Sequence, residues 1–281
     1  MTIREVLRTA RKRIEPVSES AGLDVHILLG KVLGVERAYL LANPSHVLTE
    51  DQRHRFEALV ERCAAGEPLP YILGRWAFYD REFIVTPAVL IPRPETELLL
   101  EQALVFVKSN PAATAIDIGT GSGALAVTLA VHCPAARVYA VDISPAALAV
   151  ARCNAAENAV MERITFLEGD LLAPLLDNAV QGDVILANLP YIASDDLPGL
   201  TVTRYEPRLA LDGGADGLDL MRRLLAQLPG VLRPGGLALL EIGADQGAAA
   251  SELAQTALPQ ATVRVIQDYA GLDRIVAIQS P

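Results

Sequence analysis

Asn188-Leu189-Pro190-Tyr191 follows Asp183-Val184-Ile185-Leu186-Ala187, an apolar run that reads as a buried strand. An asparagine, a proline and an aromatic at a strand's carboxyl end suit a nitrogen nucleophile that must be methylated. The Asn188 amide oxygen and the Leu189 carbonyl would be two acceptors aimed at one point. An NH2 group held there donates both hydrogens and turns its lone pair toward a methyl donor. The Tyr191 ring would supply an apolar wall for a planar group. The same tetrapeptide also serves as a plain strand stop, so the segments upstream decide between the two.

Ala115-Ile116-Asp117-Ile118 is a short strand that runs into Gly119-Thr120-Gly121-Ser122-Gly123, with a helical stretch after it. Glycines at such a turn let the backbone approach a ligand closely and accept unusual dihedrals. A second strand, Arg137 to Val141, ends in Asp142, where a carboxylate can accept from both hydroxyls of a ribose. A third, Ile164 to Leu167, leads to Glu168-Gly169-Asp170-Leu171, where Asp170 can accept from an adenine amino group while Leu171 packs on the ring. A dinucleotide is the competing ligand. Gly119-x-Gly121-x-x-Ala124 satisfies the loose fingerprint, and Asp142 lies near the distance of an NAD ribose ligand. The Gly-x-Gly-x-Gly spacing directly after an Asp, and the third acidic strand end at Asp170, instead fit S-adenosylmethionine. That molecule has no phosphate and presents adenine, ribose and a methionine tail. Gly119, Thr120, Gly121, Ser122, Gly123, Asp142, Asp170, Leu171 and Asn188 are the expected cofactor-binding residues.

The elements that must position these residues follow from periodicity. From Thr114 onward strands and helices alternate, which predicts a mostly parallel sheet covered on both faces. Strands are expected at 114–118, 137–142, 164–168, 183–188 and 237–242, with 262–266 and 274–278 completing a seven-stranded sheet as a C-terminal hairpin. Thr96 to Lys108 reads as a helix. Residues 1–65 read as helical, with an apolar stretch after Asp24 and a face of Phe56, Leu59, Val60 and Cys63 behind a Thr49/Gln52 capping box. Gly66-Glu67-Pro68-Leu69-Pro70 reads as a breaker, and Arg75 to Val85 as a hairpin. The expected organisation is a helical domain over 1–75, a hairpin linker over 76–90, and a Rossmann-like class I methyltransferase domain over 91–281.

Several blocks, in order, resemble those of the protein-glutamine methyltransferases that modify class-1 peptide chain release factors (the PrmC/HemK family). They are Leu90-Ile91-Pro92-Arg93-Pro94-Glu95-Thr96-Glu97, Asp117 to Gly123, Glu206-Pro207-Arg208-Leu209-Ala210-Leu211-Asp212-Gly213-Gly214, Asp216-Gly217, Leu240-Glu241-Ile242-Gly243 and Asp268 to Arg274. The resemblance runs from about residue 66 to the end, and more loosely over the first 65. It implies S-adenosylmethionine-dependent methylation of the glutamine side-chain amide in a release factor's Gly-Gly-Gln loop. It further implies that Asn188, Pro190 and Tyr191 are catalytic, that Asn188 to Tyr191 bind substrate, and that the helical domain recognises the release factor. The Pro92 to Glu95 block would close over the reacting centre. The family's usual Asn-Pro-Pro-Tyr is Asn-Leu-Pro-Tyr here, so the fixed φ of one proline is lost while its carbonyl is kept. Asn-Leu-Pro-Tyr is also similar to the signature of the ribosomal RNA adenine dimethylases. An RNA adenine-N6 methyltransferase is therefore the rival enzyme, and a non-catalytic translation-associated binding protein the rival outside catalysis.

Charge separates these readings. The chain of 281 residues has a net charge of −10 and 51% hydrophobic residues, enough for a packed core. Residues 1–75 carry 11 basic and 10 acidic side chains, and residues 76–281 carry 13 basic and 24 acidic. An acidic catalytic part opposes phosphate binding and suits a protein partner with a basic surface. Cys63, Cys133 and Cys153 show no Cys-x-x-Cys spacing and read as small core hydrophobes of a reducing compartment. The four histidines show no zinc spacing, so no metal is expected. No secretory pattern and no apolar run of membrane length is present, and a cytoplasmic protein is expected.

Overall fold

The computed structural model describes residues 1–281, which form two compact units, Met1–Arg75 and Trp76–Pro281. In the first unit, α1 (Ile3–Ile14), α2 (Ala21–Leu33), α3 (Arg37–Ala42), α4 (Glu50–Ala64) and α5 (Leu69–Leu73) enclose a core of their own. Ile3, Val6, Ala10 and Ile14 recur at helical spacing on α1 and are buried, meeting Val25, Leu28 and Leu29 of α2 and Phe56 and Val60 of α4. Thr49 and Gln52 form the expected capping box, and Thr2 with Glu5 forms a second one at the start of α1. Helix α2 begins three residues before Asp24. That carboxylate is buried in the first turn, where it accepts from the hydroxyls of Ser18 and Ser20. The proline-containing stretch expected as a breaker instead ends in α5, because prolines are tolerated in a helix's first turn, where backbone N–H groups lack partners anyway.

The second unit opens on the hairpin of β1 (Arg75–Phe78) and β2 (Arg81–Ile84), followed by α6 (Glu95–Ser109). Alternation then gives β3 (Thr114–Ile118), α7 (Ala124–His132), β4 (Arg137–Asp142), α8 (Pro145–Glu157), β5 (Ile164–Glu168), α9 (Ala173–Asp177) and β6 (Gly182–Ala187). It continues with α10 (Asp219–Val231), β7 (Leu232–Glu241), α11 (Gly247–Ala257), β8 (Thr262–Gln267) and β9 (Asp273–Gln279). The seven-stranded sheet has the order β5-β4-β3-β6-β7-β9-β8, and only β9 runs antiparallel to its neighbours. The predicted fold class, a helical region followed by a Rossmann-like methyltransferase fold, is the one observed. Strand β7 starts earlier than the expected 237. Arg233 to Gly236 form an irregularity between Leu232, which pairs with Gly182, and Leu237, which pairs with Val184.

Strand β3 is the pivot. Its residues are buried from end to end, and it pairs with β4 on one side and β6 on the other, so the chain reverses its direction of winding there. Apolar side chains of β3 and its neighbours point alternately into two cores. One holds Leu99, Leu100 and Leu104 of α6 with Leu129 of α7; the other holds Leu224 and Leu228 of α10 with Ala250 of α11. No helix is long and apolar enough to cross a membrane.

The fully buried Asn154 of α8 ties the hairpin to the glycine turn. Its Oδ1 accepts from the Ile84 backbone N–H at 2.7 Å, while Nδ2 donates to the carbonyls of Ile84 at 3.0 Å and Ser122 at 2.8 Å. Asn154→Ala would strand these groups without partners and should cost on the order of 2–3 kcal/mol. Denaturant unfolding of the second unit checks this. A loss under about 0.5 kcal/mol, the size of a surface change, would show that Asn154 does not hold the turn.

Candidate active site

The carboxyl ends of β3, β4, β5 and β6 face one cleft of about 260 Å3, at the point where the sheet's winding reverses. Its walls include Gly119, Thr120, Gly121 and Ser122 after β3, Asp142 at the end of β4, Asp170 and Leu171 after β5, and Asn188, Leu189 and Pro190 after β6. Of the residues singled out from sequence, Gly123 and Tyr191 are not on this wall. Gly123 packs beneath the turn against Ala151 of α8. Tyr191 is turned toward Glu241 and Gln246 around a separate, much smaller cavity.

The glycine turn and the Asn188 segment are in contact. Gly119 has φ +71°, and a Cβ there would lie 3.2 Å from the Leu189 side chain. The left-handed backbone angle favours glycine there, and a Cβ would also push the Leu189 side chain aside by a few tenths of an ångström. Asp142 accepts from the Gly121 N–H and from the Ser144 N–H, each at 2.9 Å, and burial pushes its carboxyl above the usual carboxylate range. Each of its oxygens keeps a lone pair for a further donor. Asp170 forms an ion pair with Arg223 of α10, and both line the cleft. That pairing brings a cation to the cleft from a helix that nothing in the sequence links to Asp170.

Asp117 was visible only as part of a motif and proves central. It is 1% exposed, with Oδ2 accepting from the Thr120 hydroxyl at 2.6 Å and from the Ala126 N–H at 3.2 Å. Its Oδ1 is buried and has no partner. Burial pushes the carboxyl up to about 7, with the nearby Asp142 adding to the rise. A lone buried acceptor of this kind is completed by a donor bearing positive charge, such as the ammonium of an amino-acid tail.

Three further segments bound the cleft. Glu206, 5% exposed, binds the Arg93 guanidinium with one oxygen, while the other accepts from the Ile91 N–H at 3.1 Å. This joins the stretch of Pro92 and Arg93 to Pro207, Leu209 and Ala210, and all five residues line the cleft. The segment after Glu206 then lies on the Asn188 turn: Ile192 bridges Asp212, and a Cβ on Gly217 would sit 2.2 Å from the Tyr191 carbonyl oxygen. The Asn188 side chain is itself tied, its Nδ2 donating to the Thr96 hydroxyl oxygen at 2.9 Å. Sequence reading carried no signal for that contact, which spans 92 residues. Cys63 and Cys133 are buried, as expected of small core residues, but Cys153 on α8 is exposed.

Comparison with known proteins bears on this site. Residues 5–74 match the model of the PrmC N-terminal domain, and residues 94–193 match that of ribosomal protein L11 methyltransferase (PrmA). The chain is 47% identical to the release factor glutamine methyltransferase of Moorella thermoacetica, covering 98% of this chain and 97% of that one. It is 41% identical to the release factor glutamine methyltransferase of Bacillus cereus, covering 92% and 91%. Among solved structures, the hMettl16 catalytic domain in complex with MAT2A 3'UTR hairpin 6 superposes with a TM-score of 0.56 at 15% identity, over 80% of this chain and 84% of that one. At that identity the likeness shows the fold alone.

S-adenosylmethionine is the cofactor, and the groups in the cleft fit it. The unpartnered Asp117 Oδ1 matches its ammonium, the spare lone pairs of Asp142 match ribose hydroxyls, and the buried Leu171 offers an apolar surface beside Asp170. Because Asp117 is raised to about 7 when no cation faces it, binding an ammonium there lowers its pKa. Affinity should then be full above that value and fall, by up to tenfold per pH unit, below it. Asp117→Asn should weaken binding about 10- to 100-fold and flatten this dependence. Calorimetric titration between roughly pH 6 and 8 checks both. A wild-type affinity that does not fall with acid would remove Asp117 from the cofactor site.

Proposed function

The chain belongs to the release factor glutamine methyltransferase family, and from that premise we propose how its cleft methylates a glutamine side-chain amide. The observation that carries the proposal is the placement of Asn188 at the mouth of β6, its Nδ2 tied back to Thr96, beside the glycine turn. With Nδ2 engaged, the amide oxygen is the end left to accept. Asn188 Oδ1 and the Leu189 carbonyl would receive the two hydrogens of the substrate amide and turn its lone pair out of conjugation. Pro190 limits the turn's backbone, and Tyr191 backs it from behind rather than facing the cleft.

S-adenosylmethionine supplies the methyl group, made electrophilic by its sulfonium. We propose that Gly119, Thr120, Gly121 and Ser122 hold its methionine and ribose portion, with Asp117 on the ammonium, Asp142 on the ribose, and Asp170 and Leu171 around the adenine. Asn188 borders both cofactor and substrate. Gly123 contributes the turn rather than a contact. An amide nitrogen is a poor nucleophile, so orientation is the main contribution of these residues, with room for on the order of 7–11 kcal/mol from well-placed reactants. No basic residue next to Asn188 is required, because the nitrogen attacks before it loses a proton.

The proposed substrate is the glutamine of the Gly-Gly-Gln loop of class-1 release factors, met in the cytoplasm, with residues 1–75 as the recognition domain. The excess of acidic over basic side chains in residues 76–281 supports a protein surface of basic character over an RNA backbone. Incubating a purified class-1 release factor with this protein and S-adenosylmethionine should add one methyl to that glutamine by peptide mass spectrometry. Asn188→Ala should lower the rate at least about 100-fold, the scale of losing an aligned acceptor, with cofactor affinity largely kept. An unmodified release factor alongside methylated RNA adenine would assign the chain to the rival substrate.

A further inference from the structure

We infer that Gln246 is a positioning residue that aims the Leu189 carbonyl from behind the turn, an inference that rests on the acceptor role proposed for that carbonyl. Gln246 lies in the loop between β7 and α11. It borders the small cavity behind Tyr191 and is not among the walls of the cleft, so any effect it has on methyl transfer passes through other residues. Both ends of its amide are engaged with backbone. Oε1 accepts from the Gly243 N–H at 2.8 Å, and Nε2 donates to the Tyr191 carbonyl at 3.0 Å. The Asp216 carbonyl is a longer second acceptor for Nε2, at 3.5 Å. One side chain thus ties the loop after β7 to the far end of the turn that follows β6.

The segment after Asp212 closes the other side of this clamp. The Gly213 N–H donates to the Ile192 carbonyl at 2.8 Å. A Cβ on Gly213 would lie 2.7 Å from the Pro190 carbonyl oxygen and 2.8 Å from Tyr191 Cα, so backbone rests directly on backbone there. Gly217 leaves room for Gln246 as well as for Tyr191, since a Cβ on it would lie 2.6 Å from Gln246 Nε2. The Pro190–Tyr191 peptide group is therefore held by Gly213, and the Tyr191 carbonyl by Gln246.

That restraint reaches the acceptor through the proline ring. Two torsions separate the held Pro190–Tyr191 plane from the plane that carries the Leu189 carbonyl. The ring fixes one of them, the φ of Pro190, at about −65°. On the other side Leu189 has no ring, and both of its torsions are soft. The clamp is the stiffer of the carbonyl's two attachments, and releasing Tyr191 frees the carbonyl to swing away from its aim.

For each variant kcat is measured at saturating release factor and S-adenosylmethionine, with S-adenosylhomocysteine affinity and Tm alongside. Gln246→Met removes both bonds and should lower kcat about 10- to 100-fold, the scale of a slightly misplaced reactant, while cofactor affinity stays within about threefold of wild type. Gln246→Glu keeps an acceptor for Gly243 but sets a carboxylate oxygen against the Tyr191 carbonyl, and it should lose as much. A ring at position 189 would stiffen the carbonyl's other attachment. In a Leu189→Pro background the Gln246→Met change should therefore cost at least about threefold less than it does alone. A residue that served stability alone would give equal losses in both backgrounds. Equal losses, a Gln246→Glu enzyme as fast as wild type, or cofactor affinity that falls in step with kcat overturns the inference. If the doubly substituted chain does not fold, Gln246→Glu decides alone, by kcat set against cofactor affinity. Asn188→Ala separates these results from failure of the acceptor reading itself, in which that variant too would methylate as fast as wild type.

Discussion

A carboxylate buried away from water is costly, and this protein keeps three of them at or near the carboxyl ends of strands in one sheet. Asp117 is the penultimate residue of β3, Asp142 closes β4, and Glu241 closes β7. Each is raised above its ordinary range by burial, and each is only partly satisfied by the chain. Asp117 and Glu241 each retain an oxygen with no partner. A sheet that served stability alone would fill these positions with apolar residues. Asp117 and Asp142 line the cleft, where the polar groups of a cofactor would complete them.

The loops around the cleft follow from that constraint. Parallel strands deliver their ends to one edge, so the residues that follow them must be compact enough to pack against one another. Gly119 lets the Leu189 side chain pack close, and Gly217 admits the Tyr191 backbone so tightly that no Cβ fits there. Glu206 then fastens the Arg93 stretch to the Leu209 stretch across the opening. Leucine at position 189 stands where the motif that the sequence resembles has proline, and it keeps the backbone carbonyl proposed to accept from the substrate amide. Its side chain fills the space against Gly119, so packing stands in for some of the rigidity a ring would have given.

Much of this was legible in the sequence, and the limits have physical causes. Strands β3, β4 and β6 are largely apolar because both faces of the inner sheet are covered, and the acidic or amide residues at their ends mark the ligand edge. The Thr49/Gln52 cap and the Phe56/Val60 face are local signals and appear where expected. What escaped depends on contacts distant in sequence. Asn188 meets Thr96 across 92 residues, and Asp170 meets Arg223 across 53, and neither pairing leaves a periodic trace. Tyr191 reads as a substrate wall because aromatics often serve so, but the segment bearing Gly217 turns it inward toward Glu241.

The central claim is that Asn188 and Leu189 hold the substrate amide beside the cofactor. A crystal structure with S-adenosylhomocysteine and a Gly-Gly-Gln peptide tests it most directly. The account predicts the glutamine amide nitrogen within about 3.2 Å of both Asn188 Oδ1 and the Leu189 carbonyl oxygen, with Asp142 on the ribose. A glutamine amide bound elsewhere in the cleft, with Asn188 Oδ1 turned to Thr96, would contradict it.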